Sequence, residues 1–248
     1  TFNIAVGNNL MQETWASDLM RLNKSFIIQR SGGSKKEIYS GLSLASEFIK
    51  ETIFNKGESI WIAQKQGRAK DGIDQTDPAL LKMIHLAERK SQSIAEYFTS
   101  LKVVPVSISY ELDPNDRLKA FELAAVDSNT PYVKEKNEDL KSIANGVQGF
   151  KGHVHITISD PLVPSPDLTY EDLATLITNK IVSTYYLHPT NYAAYEILNP
   201  GSSIAKGHFD LSHTQELAKR LEGLEEAVGS KLLEQYANPV IQQISLNR

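Results

Sequence analysis

Short apolar runs alternate with stripes at helical spacing through the first hundred residues. Phe2-Asn3-Ile4-Ala5-Val6 reads as a strand with Thr1 already inside it, and Asn9 to Leu22 as a helix. Ser25 to Gln29 is the next strand, after which Ile38, Leu42, Ala45, Ile49 and Ile53 recur on one helical face. Ser59 to Ala63 is another apolar run, Asp71-Gly72 marks a turn, and Asp77-Pro78 supplies the cap and first position of a helix. That helix carries its buried face on Leu80, Leu81, Ile84 and Ala87. Val103 to Ser109 follows as a further strand, in which Pro105 donates nothing to a ladder and predicts an edge, a bulge or a gap. Strands alternating with helices predict an α/β fold, a largely parallel sheet flanked by helices.

The pattern changes after Tyr110. Asp113-Pro114 starts a helix, Thr130-Pro131 breaks the chain, and a charged helix is expected from Lys134 to Asn145. His153 to Ile158 alternates as a strand and Asp160-Pro161 ends it. Beyond the proline-rich turn at 161–166, Thr169 to Leu187 and Thr214 to Tyr236 read as helices. The expected organisation is therefore an α/β domain over 1–160 and a C-terminal helical extension over 166–248. Tyr185, Tyr186, Tyr192 and Tyr195 in that extension are expected to pack between helices; lining an acyl groove is the other reading.

Composition narrows the chemistry. A chain of 248 residues with 41% hydrophobic positions is long enough for one substantial core. A net charge of −4 and a pI near 5.9 speak against a general nucleic-acid or anionic-membrane binder, although local basic loops can still act. The absence of cysteine excludes disulfides, thiolate nucleophiles and cysteine metal sites, and fits a reducing compartment. The longest apolar helical segment, Leu173 to Leu187, is interrupted by Asn179 and Lys180 and is too short to span a bilayer.

The candidate chemistry sits where strands run out. Ser59 to Ala63 leads into Gln64-Lys65-Gln66-Gly67-Arg68-Ala69-Lys70-Asp71-Gly72, a loop with three cations and two glycines. Ser25 to Gln29 leads likewise into Arg30-Ser31-Gly32-Gly33-Ser34-Lys35-Lys36. Ligands of open α/β sheets collect outside the carboxyl ends of strands, where arginine, lysine and loop amides suit a phosphate. Two such loops at neighbouring strand ends would make one anion pocket. Each arginine taken alone reads more readily as a solvated surface charge, and their recurrence in two similarly built units makes the pocket an equal reading.

The residues that carry these loops resemble a known family. Ser25-Phe26-Ile27-Ile28-Gln29-Arg30, then Gln66-Gly67-Arg68-Ala69, then Val103-Val104-Pro105-Val106 are similar in order and spacing to the second, third and fourth sequence blocks of the glycerol-3-phosphate and lysophosphatidic acid acyltransferases. Gln-Gly-Arg-Ala-Lys-Asp-Gly resembles the form of the third block in a bacterial subgroup, usually with Glu first, and Phe150 to His155 also resembles that subgroup. The resemblance covers roughly the first 110 residues. It implies transfer of a fatty acyl group from an acyl-CoA or acyl-carrier-protein thioester to a hydroxyl of a phosphate-bearing glycerolipid acceptor, in phospholipid synthesis. It further implies Arg30 and Arg68 on the acceptor phosphate, with Lys65, Lys70 and Lys24 adding field, and Gly67 admitting close backbone approach. Pro105 would fall in a block linked with substrate binding, where a structural role reads equally well. No metal, cofactor or nucleic acid is implied beyond the acyl donor; a cytoplasmic enzyme, peripheral on the inner membrane, is the expected setting.

Two departures stand out. The family's catalytic block, an Asn-His followed by Asp after four residues, precedes the block around Arg30, yet the chain has no histidine before His85. The expectation is that this block lies upstream of Thr1; without it, the alternative is a non-catalytic lipid- or phosphate-binding protein on the same fold. Gln66 also replaces the usual Glu, keeping shape and losing charge. His155 and Asp160 reproduce the histidine–aspartate spacing, but a strand through His155 puts residues five apart on opposite faces. His153 and His155 share a face and are expected to be a half-buried pair with no third metal ligand nearby. Gly41-Leu42-Ser43-Leu44-Ala45 lies in a helix stripe, where a nucleophile elbow does not form. Gly146, Gly149 and Gly152 precede no helix as a dinucleotide loop requires, and Gly32 to Lys35 lacks phosphate-loop spacing.

Overall fold

The computed structural model describes residues 2–7, 18, 22–29, 33–65, 69–128, 132 and 138–247. Its fold is mixed α/β, with strands β1 (Phe2–Gly7), β2 (Ser25–Ile28), β3 (Ser59–Trp61), β4 (Val106–Tyr110) and β5 (Val154–Ile158). The helices are α1 (Lys35–Lys50), α2 (Pro78–Ile84), α3 (Ile94–Ser100), α4 (Asp116–Asp127), α5 (Glu138–Gln148), α6 (Tyr170–Thr184), α7 (Pro189–Leu198), α8 (Leu211–Leu221) and α9 (Glu226–Leu246). The helix expected over Asn9 to Leu22, the break at Thr130-Pro131 and the start of the charged helix at Lys134 fall largely or wholly outside the described residues.

The chain forms two compact units, each built from separated segments. The first comprises Thr1–Gly67, Gln75–Pro105 and Asp160–Thr178; the second comprises Arg68–Asp74, Val106–Ser159 and Asn179–Arg248. The proline-rich turn at 161–166 thus lies within a segment of the first unit.

In the first unit, β1 pairs in parallel with β2 on one side and β3 on the other, giving the order β2-β1-β3. Ile4 registers against both Ser25 and Trp61. One sheet face packs on α1, where the Phe26 and Phe48 rings lie 4.7 Å apart and Ile28 is buried. α1 starts at Ser34, whose hydroxyl accepts the Glu37 N–H at 3.3 Å while the Glu37 carboxylate accepts the Ser34 N–H at 2.6 Å, a complete capping box. Its helical stripe continues into a π-helical turn, Glu51–Asn55. α2 begins as expected, with Asp77 as cap and Pro78 at the first position. Leu80, Leu81 and Ile84 are buried beneath it.

In the second unit, β4 does not extend the parallel sheet as its place in the alternation predicts. It pairs antiparallel with β5, with Val106 opposite Ile158 and Tyr110 opposite Val154. Pro105 precedes β4 and stands outside the ladder, so it ends a segment and breaks no strand. α9 packs against α4 and α7 over a core of Ala120, Ala193, Ala194, Leu217, Leu232 and Ala237. The helix expected over Thr214 to Tyr236 is two helices, because the chain turns at Gly223 in left-handed backbone (φ 72°).

Candidate functional site

Parallel pairing sends the chain out of β2 and β3 at the same edge of the first unit's sheet. Contrary to the expectation of neighbouring strand ends, the two strands are not adjacent: β1 lies between them. Arg30 is two positions beyond β2, and Arg68 seven beyond β3. Arg30, Gln66, Gly67 and Arg68 themselves lie outside the described residues. What is described is the frame around them.

After β2, the frame closes at Gly33, in left-handed backbone (φ 98°), and at the self-capped start of α1. The Glu37 carboxyl is held below its ordinary range by the Ser34 backbone and hydroxyl bonds. A carboxylate therefore already occupies the Ser34 amide at the N-terminus of α1. An anion at this edge would rely on the arginine loop and not on that helix end.

After β3, Gln64 acts as a clasp. Its carbonyl accepts the Asp77 N–H at 2.9 Å, and its side-chain oxygen accepts the Thr76 hydroxyl at 3.1 Å. Gln64 thus meets Thr76 and Asp77, which lie on the far side of segment 65–75 in the chain. Lys65 is the first residue of that segment. Thr76 N–H donates to Thr178 Oγ1 at 2.9 Å, which fixes the returning arm.

The segment Arg68–Asp74 belongs to the second unit and is fastened there. Ala69 O accepts Lys119 Nζ at 2.9 Å, Asp71 O accepts Asn238 Nδ2 at 2.7 Å, and Asp74 exchanges two bonds with the Gln242 amide at 2.8 and 2.9 Å. The Asp71-Gly72 turn forms as expected: Ile73 N–H donates to Asp71 Oδ1 at 3.0 Å and Gly72 has φ 72°. A Cβ on Gly72 would stand 2.0 Å from the Gln235 carbonyl oxygen. That carbonyl lies four residues before Pro239, which has no N–H to give it, so helix α9 lacks a bond where the turn packs.

Not every expected cation serves this site. Lys70 is ion-paired with Glu122. Lys24 precedes β2 and so stands at the amino edge of the sheet, opposite to the edge that Arg30 follows; its Nζ is 3.7 Å from Glu58 Oε1. Glu58 is held low by the Asn3 amide at 2.7 Å and by Lys24, so the pair is a strand-start contact. The expected contribution of Lys24 to a carboxyl-edge pocket is corrected by parallel pairing.

Several engaged residues carried no sequence signal. His85 is buried with both ring nitrogens occupied, Nδ1 by the Tyr170 hydroxyl at 2.9 Å and Nε2 by Gln92 O at 3.1 Å, and it stacks on Tyr97. His188 is buried beside β4, with Nε2 3.2 Å from Ser109 Oγ. Burial lowers the pKa of both. Asp116 receives Arg220 Nη1 at 2.5 Å and the Tyr236 hydroxyl at 2.7 Å, tying α4, α8 and α9 together. Lone histidines and charges in helical patterns look alike whether buried or exposed, so only packing reveals these.

His153 and His155 are exposed, correcting the half-buried pair; His155 stacks on Tyr186 with ring centroids 4.6 Å apart. Among the described residues, no group of three or more His, Asp or Glu side chains is placed to hold a metal ion. The four tyrosines do not share one groove. Tyr186 meets His155, Tyr192 stacks on His208, Tyr195 packs on the α4–α9 core, and the Tyr185 backbone carbonyl accepts the Gln243 amide. A cavity of about 480 Å³ opens along the α7–α8 connection, lined by Glu196, Ser202, Ser203 and Lys206, and contains none of the expected site residues. Gly41 to Ala45 lies inside α1, as its helical stripe predicts. Among the described residues, no helix is long and apolar enough to cross a membrane. Comparison of the chain with family models, curated proteins and solved structures gives no match.

Proposed function

We propose that the protein is a glycerophospholipid-type acyltransferase whose phosphate-binding arginines are Arg30 and Arg68. What supports this reading is the resemblance of the sequence blocks at Arg30 and at Gln66 to Arg68, which follow β2 and β3 in the chain, two strands that pair in parallel with β1 and so end on one edge of the first unit's sheet. Phosphate recognition needs converging cations and backbone donors, and such an edge can supply both. The reaction implied moves an acyl group from a thioester to a glycerol hydroxyl. A histidine takes the hydroxyl proton, the oxygen attacks the thioester carbonyl, and the thiolate leaves and is protonated. That histidine and the aspartate orienting it are not among these 248 residues in the family's arrangement.

The test is acyl transfer by the natural protein from a long-chain acyl-CoA to glycerol 3-phosphate and its 1-acyl derivative. Arg68→Ala is expected to raise the acceptor KM or lower kcat by about tenfold or more, the effect of losing a charge-assisted contact, with an unchanged circular dichroism spectrum. Unchanged kinetics would remove Arg68 from the site. Gln66, where the resembled family usually has Glu, favours one second reading, a phosphate- or lipid-binding protein on this fold. Absence of transfer with retained phosphate binding would select it.

A further inference from the structure

Two successive turns of α4 hold the two residues that follow Arg68. Lys119 Nζ donates to Ala69 O at 2.9 Å, and Glu122, three positions further on the same helical face, pairs with Lys70. All four residues belong to the second unit. Lys119 is not a free charge reaching for a carbonyl. Its Nζ is also 2.5 Å from Asp113 Oδ2, and its side chain is only 15% exposed. A carboxylate that close largely cancels its field, so what the lysine supplies to Ala69 is position.

Asp113 is itself held at three atoms. Its N–H donates to the Tyr236 hydroxyl at 2.9 Å, its carbonyl accepts Arg220 Nη1 at 3.2 Å, and its Oδ1 accepts the Asn115 N–H at 2.8 Å. Tyr236 is buried, and its hydroxyl bonds to Asp116, which Arg220 also meets. A chain of bonds thus runs from α8 and α9 through Asp113 and Lys119 to the carbonyl one residue beyond Arg68. Consecutive Cα atoms are about 3.8 Å apart, so the grip on Ala69 sets where the arginine starts. The anchors further along, Asn238 on Asp71 O and Gln242 on Asp74, do not involve Lys119. They would keep the Asp71-Gly72 turn in place without Lys119 and leave the segment next to Arg68 to shift. Misplacing a binding group by about 1 Å can cost up to about 100-fold.

We propose that Lys119, set by Asp113, is a positioning residue for Arg68 and so for phosphate binding. The inference rests on the reading that Arg68 holds the acceptor phosphate, and it assigns a role to a helix outside the cationic loops. The experiment is titration calorimetry of the natural protein with glycerol 3-phosphate, in wild type, Lys119→Met, Arg68→Ala and the double variant. Methionine keeps the apolar stem and removes the donor. Lys119→Met is expected to weaken binding about tenfold, with an unchanged circular dichroism spectrum and a urea midpoint close to wild type. In the Arg68→Ala background the same substitution should change affinity less than about twofold, because nothing is left for it to position. Lys119→Arg, which still offers N–H donors to both oxygens, should recover most of the affinity. An equal loss in both backgrounds would make Lys119 a structural residue, and undiminished affinity in Lys119→Met would make its bond incidental. Either result overturns the proposal while the effect of Arg68→Ala stands. Unchanged affinity in Arg68→Ala, or no binding by wild type, overturns the phosphate reading and this one with it.

Discussion

A glutamine at position 66 keeps the volume of glutamate and discards its charge. If a carboxylate there orients Arg68 or a loop amide, the exchange weakens a charge-assisted hydrogen bond worth about 1.5–3 kcal/mol. Gln66→Glu in the natural protein is therefore expected to raise kcat several-fold, measured as thiol release; an unchanged rate would make residue 66 a shape-filling position. Lysines near the same loops show why sequence proximity misleads at this scale. Lys70 lies two positions from Arg68 and is ion-paired with Glu122, and Lys24 is paired with Glu58 at the far edge of the sheet. A cation whose partner is within 4 Å contributes little net field to a ligand elsewhere.

Loop and helix are matched at the level of elements. Pro239 withholds the N–H that would bond to the Gln235 carbonyl in α9, and the Asp71-Gly72 turn packs against that carbonyl with the space of a missing Cβ. Gly72→Ala must both adopt a left-handed backbone and displace a carbonyl oxygen that sits 2.0 Å from the new atom. A loss of at least about 2 kcal/mol in unfolding free energy is expected, read as a lower urea midpoint at constant slope. A midpoint within error of wild type would show that the turn is not held against α9. The segment from Ala69 to Asp74 thus owes its anchoring to α4 and α9, through bonds between residues 50 and 167 positions apart in the chain.

Each unit of the molecule buries one neutral histidine, His85 in the first and His188 in the second, and burial lowers the pKa of both. Unfolded histidine titrates near 6.5, so below that pH the unfolded chain takes up protons that the folded one refuses. The unfolded state then binds more protons, and stability rises with pH. The contribution is fully present above about pH 6.5 and is lost as pH falls through the folded values. Urea midpoints are expected to drop between about pH 7.5 and about pH 5.5, a window above the range where ordinary carboxylates titrate, and the drop should shrink in His85→Gln and in His188→Gln. An equal slope in wild type and variants would show that neither histidine is held neutral. Much of the architecture was legible without coordinates. The alternation at β1, β2 and β3, the stripe of α1 and the Asp77-Pro78 start of α2 depend on residues within a few positions of one another. Periodicity and capping report such local arrangements directly. The site was legible only as loops that follow strands. Strand pairing joins residues far apart in the chain, and several pairings satisfy the same apolar pattern. Tertiary structure alone therefore decided that β1 separates β2 from β3, that β4 pairs with β5, that Lys24 stands at the amino edge of its sheet and that Ile108, Ile156 and Ile158 are exposed.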